Sequence, residues 1–148
     1  RLGIWGGSWG GFLVGLALAR NSDIFAAGAD FHGVHDMVGF PEPGLSPADR
    51  RAEIATQWAS SPVADIRTWR SPVLIVQGDD DLDVSFSQSV LLDQLLTARD
   101  IPHDVLSLPG ERHGFLRQKS WETAYGTMDQ FFARQLRPDH VLAEKGTP

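Results

Sequence analysis

Ile4-Trp5-Gly6-Gly7-Ser8-Trp9-Gly10-Gly11 is the stretch whose reading decides the fold of this chain. An apolar run, Leu2 to Trp5, enters it, and a second apolar run, Phe12 to Ala19, leaves it without a polar break. That pattern predicts a buried strand, a sharp turn and a buried helix, with one serine at the apex. The core, Gly6-x-Ser8-x-Gly10, has the form of a nucleophile elbow, in which the serine occupies a strained strand-to-helix turn. Glycines two residues either side are expected because a side chain there would collide with neighbouring backbone. The turn lifts the Ser8 hydroxyl above the sheet and aims the Trp9 N–H at the place where an oxyanion would form. A phosphate-binding turn is the first alternative, but no Gly-Lys-Ser/Thr follows and the dinucleotide glycine spacing is absent. A purely structural Gly-rich turn is the second.

Bulk properties set the bounds. At 148 residues the chain is one domain by length, long enough for a sizeable core. Its 42% hydrophobic and 22% charged residues are ordinary for a globular protein. A net charge of −6 and the lack of a basic run argue against a nucleic-acid binder. With no cysteine, disulfides, thiolate metal sites and cysteine nucleophiles are excluded. The longest apolar stretch, Phe12 to Ala19, is far too short to span a bilayer. Residue 1 already stands at the threshold of a buried strand, without an initiator Met, signal peptide or cap. A central strand needs neighbours on both sides, so the expectation is the C-terminal part of a longer protein, with its N-terminal strands absent.

Taken in order, Leu2 to Trp5 reads as a strand and Gly10 to Arg20 as a helix, slim along Gly11, Gly15, Ala17 and Ala19 and buried for want of a polar face. Ile24 to Phe31 reads as a second strand. Pro41, Pro43, Gly44 and Pro47 mark an excursion from Gly33 to Ser71, expected over the mouth of the site. Within it, Ser46-Pro47-Ala48-Asp49 has the form of a helix start, and the helix is expected to reach Trp58. Ala64 to Trp69 reads as a further turn or short helix. Pro72 to Gln77 is a fully buried parallel strand by its β-branched run. Ser85-Phe86-Ser87-Gln88 reads as a capping box, and Phe86, Val90, Leu91, Leu95 and Leu96 as the apolar stripe of the next helix. His103 to Leu108 is the last strand. A closing helix, from about Arg117 to Leu136, carries Trp121, Tyr125, Met128, Phe131 and Phe132 on one face. Pro138 ends it, with a frayed tail to Pro148. The order strand–helix, strand–excursion, strand–helix, strand–helix gives a parallel α/β sheet with right-handed crossovers.

A serine nucleophile needs a base, and the base needs an orienting carboxylate, in the chain order Ser, Asp/Glu, His, from loops at the carboxyl ends of parallel strands. Among five histidines, His103 starts a strand at the wrong edge, His140 lies in the tail, and His32 and His35 precede the acids. His113, beside Gly114 in the loop Glu111 to Phe115, remains. The acid lies among Asp79, Asp80, Asp81 and Asp83, and residue chemistry alone does not choose between them. The same cluster could be a solvated turn or a calcium site, though it lacks the Gly and distal Glu of an EF-hand loop. Asp30, His32, His35 and Asp36 are a weak second set of metal donors, because His-x-x-His outside a helix specifies little.

These residues resemble the catalytic domain of the prolyl oligopeptidase family (S9) of serine peptidases. The likeness is carried by Gly6-Gly7-Ser8-Trp9-Gly10-Gly11, Ser61-Pro62 and Ser71-Pro72-Val73-Leu74-Ile75-Val76-Gln77-Gly78. It continues in Asp81-Leu82-Asp83-Val84-Ser85-Phe86-Ser87-Gln88-Ser89 and His113-Gly114-Phe115. The family's acid falls three residues after that glycine, which picks Asp81. Gln77 departs from the histidine often found before the glycine. The resemblance implies an α/β-hydrolase fold, here its C-terminal half over residues 1–148. It also implies a peptidase acting on peptide substrates through Ser8, Asp81 and His113, with the Trp9 N–H in the oxyanion hole and no cofactor. A β-propeller, a tyrosine serving as second oxyanion donor and the anchors for a substrate's N-terminus are implied upstream, and homodimerisation is left open. A carboxylesterase on the same fold, or a non-catalytic scaffold that kept it, are the other readings. Such a chain on its own is expected to be unstable or inactive, with its first strand exposing an apolar edge.

Overall fold

The computed structural model describes residues 1–39 and 42–137; Pro41, Pro138, His140 and the tail lie outside the described residues. Four strands form one sheet in the order β1 (Leu2–Gly7), β2 (Phe25–Phe31), β3 (Val73–Gly78), β4 (His103–Leu108). All three pairings are parallel, so all four carboxyl ends share one edge. The helices are α1 (Trp9–Arg20), α2 (Pro47–Ser60), α3 (Ser87–Thr97) and α4 (Gln118–Leu136), with a 3₁₀ turn at Pro62–Asp65.

The alternation of β3 shows how the layers are made. Val73 and Ile75 face a cluster holding Val14 and Leu18 of α1 and Leu92 and Leu96 of α3. Leu74 and Val76 face the opposite cluster with Ala27, Ala29, Phe31, Ala124 and Phe131, under α4. A strand covered on both sides has no polar face to show, which is why Val73–Gly78 is buried at every position. In β2 the run Ala27-Gly28-Ala29 leaves room for α1: a Cβ on Gly28 would lie 2.5 Å from the Leu18 Cδ1.

Several expectations change in detail. Burial covers only one stripe of α1, Gly11, Val14, Gly15, Leu18 and Ala19, while Leu13 is 59% exposed. β1, by contrast, behaves as expected: it stands at an edge of this sheet with Leu2 and Trp5 exposed, an apolar edge on the first strand. Ser46 does cap α2, its hydroxyl oxygen accepting the Asp49 amide at 3.2 Å, and the helix runs on to Ser60. The capping box at residues 85–88 does not form. Phe86 holds the N-cap position without a side-chain bond, and the Gln88 amide group instead reaches His35 and Asp36. The inward face of α3 is correspondingly Ser89, Leu92 and Leu96, with Val90 turned to solvent.

Candidate active site

Ser8 sits between β1 and α1 with φ 57°, in the left-handed region that a residue bearing a Cβ adopts only under constraint. Two close approaches leave no room for a side chain beside that turn. A Cβ on Gly6 would lie 2.6 Å from the Gly10 carbonyl group, and one on Gly11 would lie 2.3 Å from Asp30 Oδ1. Gly10 itself would meet nothing within 4 Å among the described residues, so the second motif glycine is not required by collision here. The Ser8 hydroxyl caps nothing in α1; it lies 2.8 Å from His113 Nε2. Trp9 opens the helix, so its amide belongs to the first-turn N–H groups that have no intrahelical acceptor.

The other two strand ends supply the partners. His113 Nδ1 is 2.9 Å from Asp81 Oδ2, and the Asp81 side chain is fully buried. Asp81 Oδ1 accepts the amides of Asp83 at 3.0 Å and Val84 at 2.9 Å, while Gln77 Nε2 donates to Oδ2 at 3.2 Å. Burial alone would raise this carboxyl, but the bond from His113, with those from Val84, Gln77 and Asp83, holds it below the usual carboxylate range. The four clustered acids therefore separate by what they touch. Asp79 accepts the Gly110 amide, Asp80 pairs with Arg112 on the surface, Asp83 lines the cavity beside Ser8, and Asp81 alone meets a histidine through a hydrogen bond. Ligand atoms of Asp81, Asp83 and His113 come within 4.8 Å of one another, yet Asp81 and His113 are already bonded to each other. Asp30 and His35 are likewise bonded to one another at 2.6 Å, and both are fully buried.

The loop carrying His113 is fastened from beneath. Glu111, wholly buried, accepts the Ser120 hydroxyl at 2.6 Å, Arg117 Nε at 2.5 Å and the Leu116 amide at 2.5 Å. The Ser120 bond, together with Arg117 and that amide, outweighs burial and lowers its carboxyl from the usual range. The Asp80 amide donates to the Glu111 carbonyl at 3.1 Å, which ties the acid loop to the histidine loop. Gly78 makes this possible, since a Cβ there would lie 2.1 Å from the same carbonyl oxygen.

A cavity of about 240 Å³ opens on Ser8 and His113, with Trp9, Val34, Met37 and Val84 as its apolar walls and Asp83 beside them. Among the described residues of the excursion, Val34 and Met37, near its start, line this cavity. The end of α2 is tied to the far end of α1, where Arg20 donates to the Ala59 carbonyl. Chain order alone sets His32 aside, but the fold places its ring 4.4 Å from that of His113. His32 Nδ1 accepts the Ser8 amide at 3.1 Å. A histidine directly after a strand that pairs with the elbow strand is the signal that could have found it. His103, by contrast, pairs with Asp93 at the other edge of the sheet.

Comparison with known proteins bears on what this arrangement is. The family model described as the prolyl oligopeptidase family matches residues 1–139. Dipeptidyl aminopeptidase BIII of Pseudoxanthomonas mexicana is 26% identical over 92% of this chain and 22% of its own length. The acylaminoacyl peptidase of Pyrococcus horikoshii superposes with a TM-score of 0.81 at 24% identity, over 100% of this chain and 25% of that one, and shows the shared α/β-hydrolase fold. A puromycin-hydrolyzing peptidase of Mycobacterium tuberculosis matches at a TM-score of 0.78 and 26% identity, over 95% of this chain and 23% of its own. The chain spans about a fifth of the length of the curated relatives it matches.

Proposed function

The chain belongs to the prolyl oligopeptidase family, and from that premise we propose that it carries the catalytic serine, acid and base of a peptidase cleaving oligopeptides through an acyl-enzyme. The observation that carries the reading is the unbroken line from Ser8 Oγ to His113 Nε2 at 2.8 Å and from His113 Nδ1 to Asp81 at 2.9 Å. His113 takes the Ser8 proton as the hydroxyl attacks the scissile carbonyl, then returns it to the leaving amine. Water, deprotonated by the same imidazole, releases the acyl group and restores Ser8. Asp81 keeps the proton on Nδ1, leaving Nε2 free to act as base, and stabilises the imidazolium that forms. The Trp9 N–H receives the oxyanion.

The cavity beside Ser8 takes an apolar side chain next to the scissile bond, by its Val34, Met37 and Val84 walls. Tyr125, the single tyrosine of the chain, packs on Trp5 and Trp121; as the family resemblance implies, the second oxyanion donor is a tyrosine earlier in the hydrolase domain of the complete protein, after a β-propeller. A relative named as a dipeptidyl aminopeptidase supports cleavage near a peptide's amino end.

The test is labelling of the complete protein with a fluorophosphonate, followed by peptide mass spectrometry and paired assays on peptide amides and short-chain esters. An adduct on Ser8, lost in His113→Ala, with turnover of peptide amides, is the expected result. Turnover of esters alone would move the assignment to a carboxylesterase. A folded protein that took up no probe would make the elbow a structural relic.

A further inference from the structure

We propose that His32 is a positioning residue for the Ser8–His113 pair, holding the elbow amide through Nδ1 and bordering the His113 ring. His32 is 6% exposed and follows the last residue of β2, the strand paired with β1. The Ser8 N–H is shared between the Phe31 carbonyl at 2.9 Å and His32 Nδ1 at 3.1 Å. The first of these bonds continues the sheet. The second is an extra constraint on the one residue whose hydroxyl must stay within reach of His113. The ring meets Phe115 edge-on at 5.2 Å, so it fills the corner between the elbow and the histidine loop. A Cβ on Gly7 would lie 3.1 Å from His32 Cε1, so a larger residue there would press on the ring.

The backbone beneath is held to match. His32 has φ 43°, a conformation that side-chain-bearing residues visit rarely and histidine more than most. Asp30 fixes it from below, accepting the Gly33 amide at 3.0 Å and binding His35 at 2.6 Å. Gln88 Oε1 accepts the His35 and Asp36 amides from above, each at 2.8 Å. Acceptance by Nδ1 requires an uncharged ring with its proton on Nε2. Burial, then the neighbouring His113, hold His32 down to about 4 against the opposing pull of Asp30 and Asp81, so the ring stays neutral wherever His113 works as a base.

The inference rests on Ser8 and His113 being nucleophile and base, and two substitutions in the complete protein separate acceptor from ring. His32→Asn keeps an acceptor near the Nδ1 position and removes the ring; His32→Phe keeps the ring and removes the acceptor. Per site titrated with fluorophosphonate, H32F should lose about tenfold in kcat, the scale of one lost hydrogen bond in the transition state. Its KM should stay within about twofold, because His32 does not line the cavity. H32N should keep kcat within about threefold. A folded H32F with unaltered kcat, or an H32N as impaired as H32F, overturns the inference; should H32F not fold, His32→Leu, which also removes the acceptor, takes its place, and a folded H32L with unaltered kcat overturns it equally. Wild-type protein that is not labelled at Ser8 refutes the triad itself, an outcome distinct from a labelled wild type with an indifferent H32F.

Discussion

Asp81→Asn is the perturbation whose outcome follows most directly from the geometry. The substituted carboxamide would have one acceptor and one donor end to place where Asp81 now has two acceptors. Two backbone amides, from Asp83 and Val84, point at Oδ1 at 3.0 and 2.9 Å. Turning the NH₂ group toward them would set three donors against each other in a buried site, at about 1–3 kcal/mol for each bond lost. The carbonyl therefore stays on the amides and the NH₂ faces His113. The imidazole must then offer a lone pair at Nδ1 and carry its proton on Nε2, where it faces Ser8 and cannot act as base. The charge that stabilised the imidazolium is lost as well, about 4 kcal/mol at ~4 Å and an effective dielectric near 20. That alone is roughly 10³-fold in rate, and the wrong tautomer brings the expected loss in kcat/KM to about 10³–10⁴-fold. The assay is kcat/KM on a peptide amide, alongside the fluorophosphonate labelling rate and a circular-dichroism check that the fold persists. A folded D81N within about tenfold of wild type would refute the orienting role of Asp81.

Gly78→Ala should cost both stability and rate, since the added Cβ meets backbone at 2.1 Å two residues before His113. About 1–3 kcal/mol is expected from denaturant unfolding, with a parallel fall in kcat; wild-type values of both would contradict the close approach. Acid should weaken the fold through His32. Its folded value of about 4 lies below the ordinary 6.5, so between those pH values the unfolded chain binds more protons and stability falls as pH drops. The full loss is on the order of 3 kcal/mol. Asp81 and Glu111, both lowered in the fold, add stability above the ordinary carboxylate range that disappears below it. Urea titrations at several pH values should show a shallower loss in H32N between pH 6.5 and 4 than in wild type, and equal slopes would rule out the buried neutral ring. Leu92→Ala, at a fully buried site, should cost about 2–5 kcal/mol. Val90→Ala, at an exposed one, should stay within about 1 kcal/mol. Similar midpoints for the two variants would restore the stripe read from sequence.

The parallel α/β arrangement and the doubly buried third strand were legible because parallel strands buried on two sides must be apolar throughout, as Val73 to Val76 are. Ser8 and His113 stood out through glycine spacing and position after a strand, features local to a few residues. Asp81 needed more: nothing in Asp79-Asp80-Asp81-Leu82-Asp83 distinguishes it until the Asp83 and Val84 amides fold back on its carboxylate. The capping box at Ser85 to Gln88 failed for the same reason in reverse, because Gln88 gains more from the buried His35 and Asp36 amides than from its own helix end. The core takes Leu92 from α3 and leaves Val90 at the surface. His32 was invisible because its role depends on a left-handed backbone and a partner 24 residues away.

Because all four strands run the same way, Ser8, Asp81 and His113 gather at one edge of the sheet, and the turns into β2 and β4 gather at the other, roughly 20 Å away across a six-residue strand. The turn at Arg99 and Asp100 is solvent-exposed and closes through its own backbone bonds to Leu96 and Thr97. Lengthening it costs about 0.6 kcal/mol of loop-closure entropy for each doubling, besides the Arg99 bond to the Arg67 carbonyl. This is the place to graft a tether, a reporter or a surface anchor: the attachment would leave the strand register untouched and hold the working edge turned toward the solution.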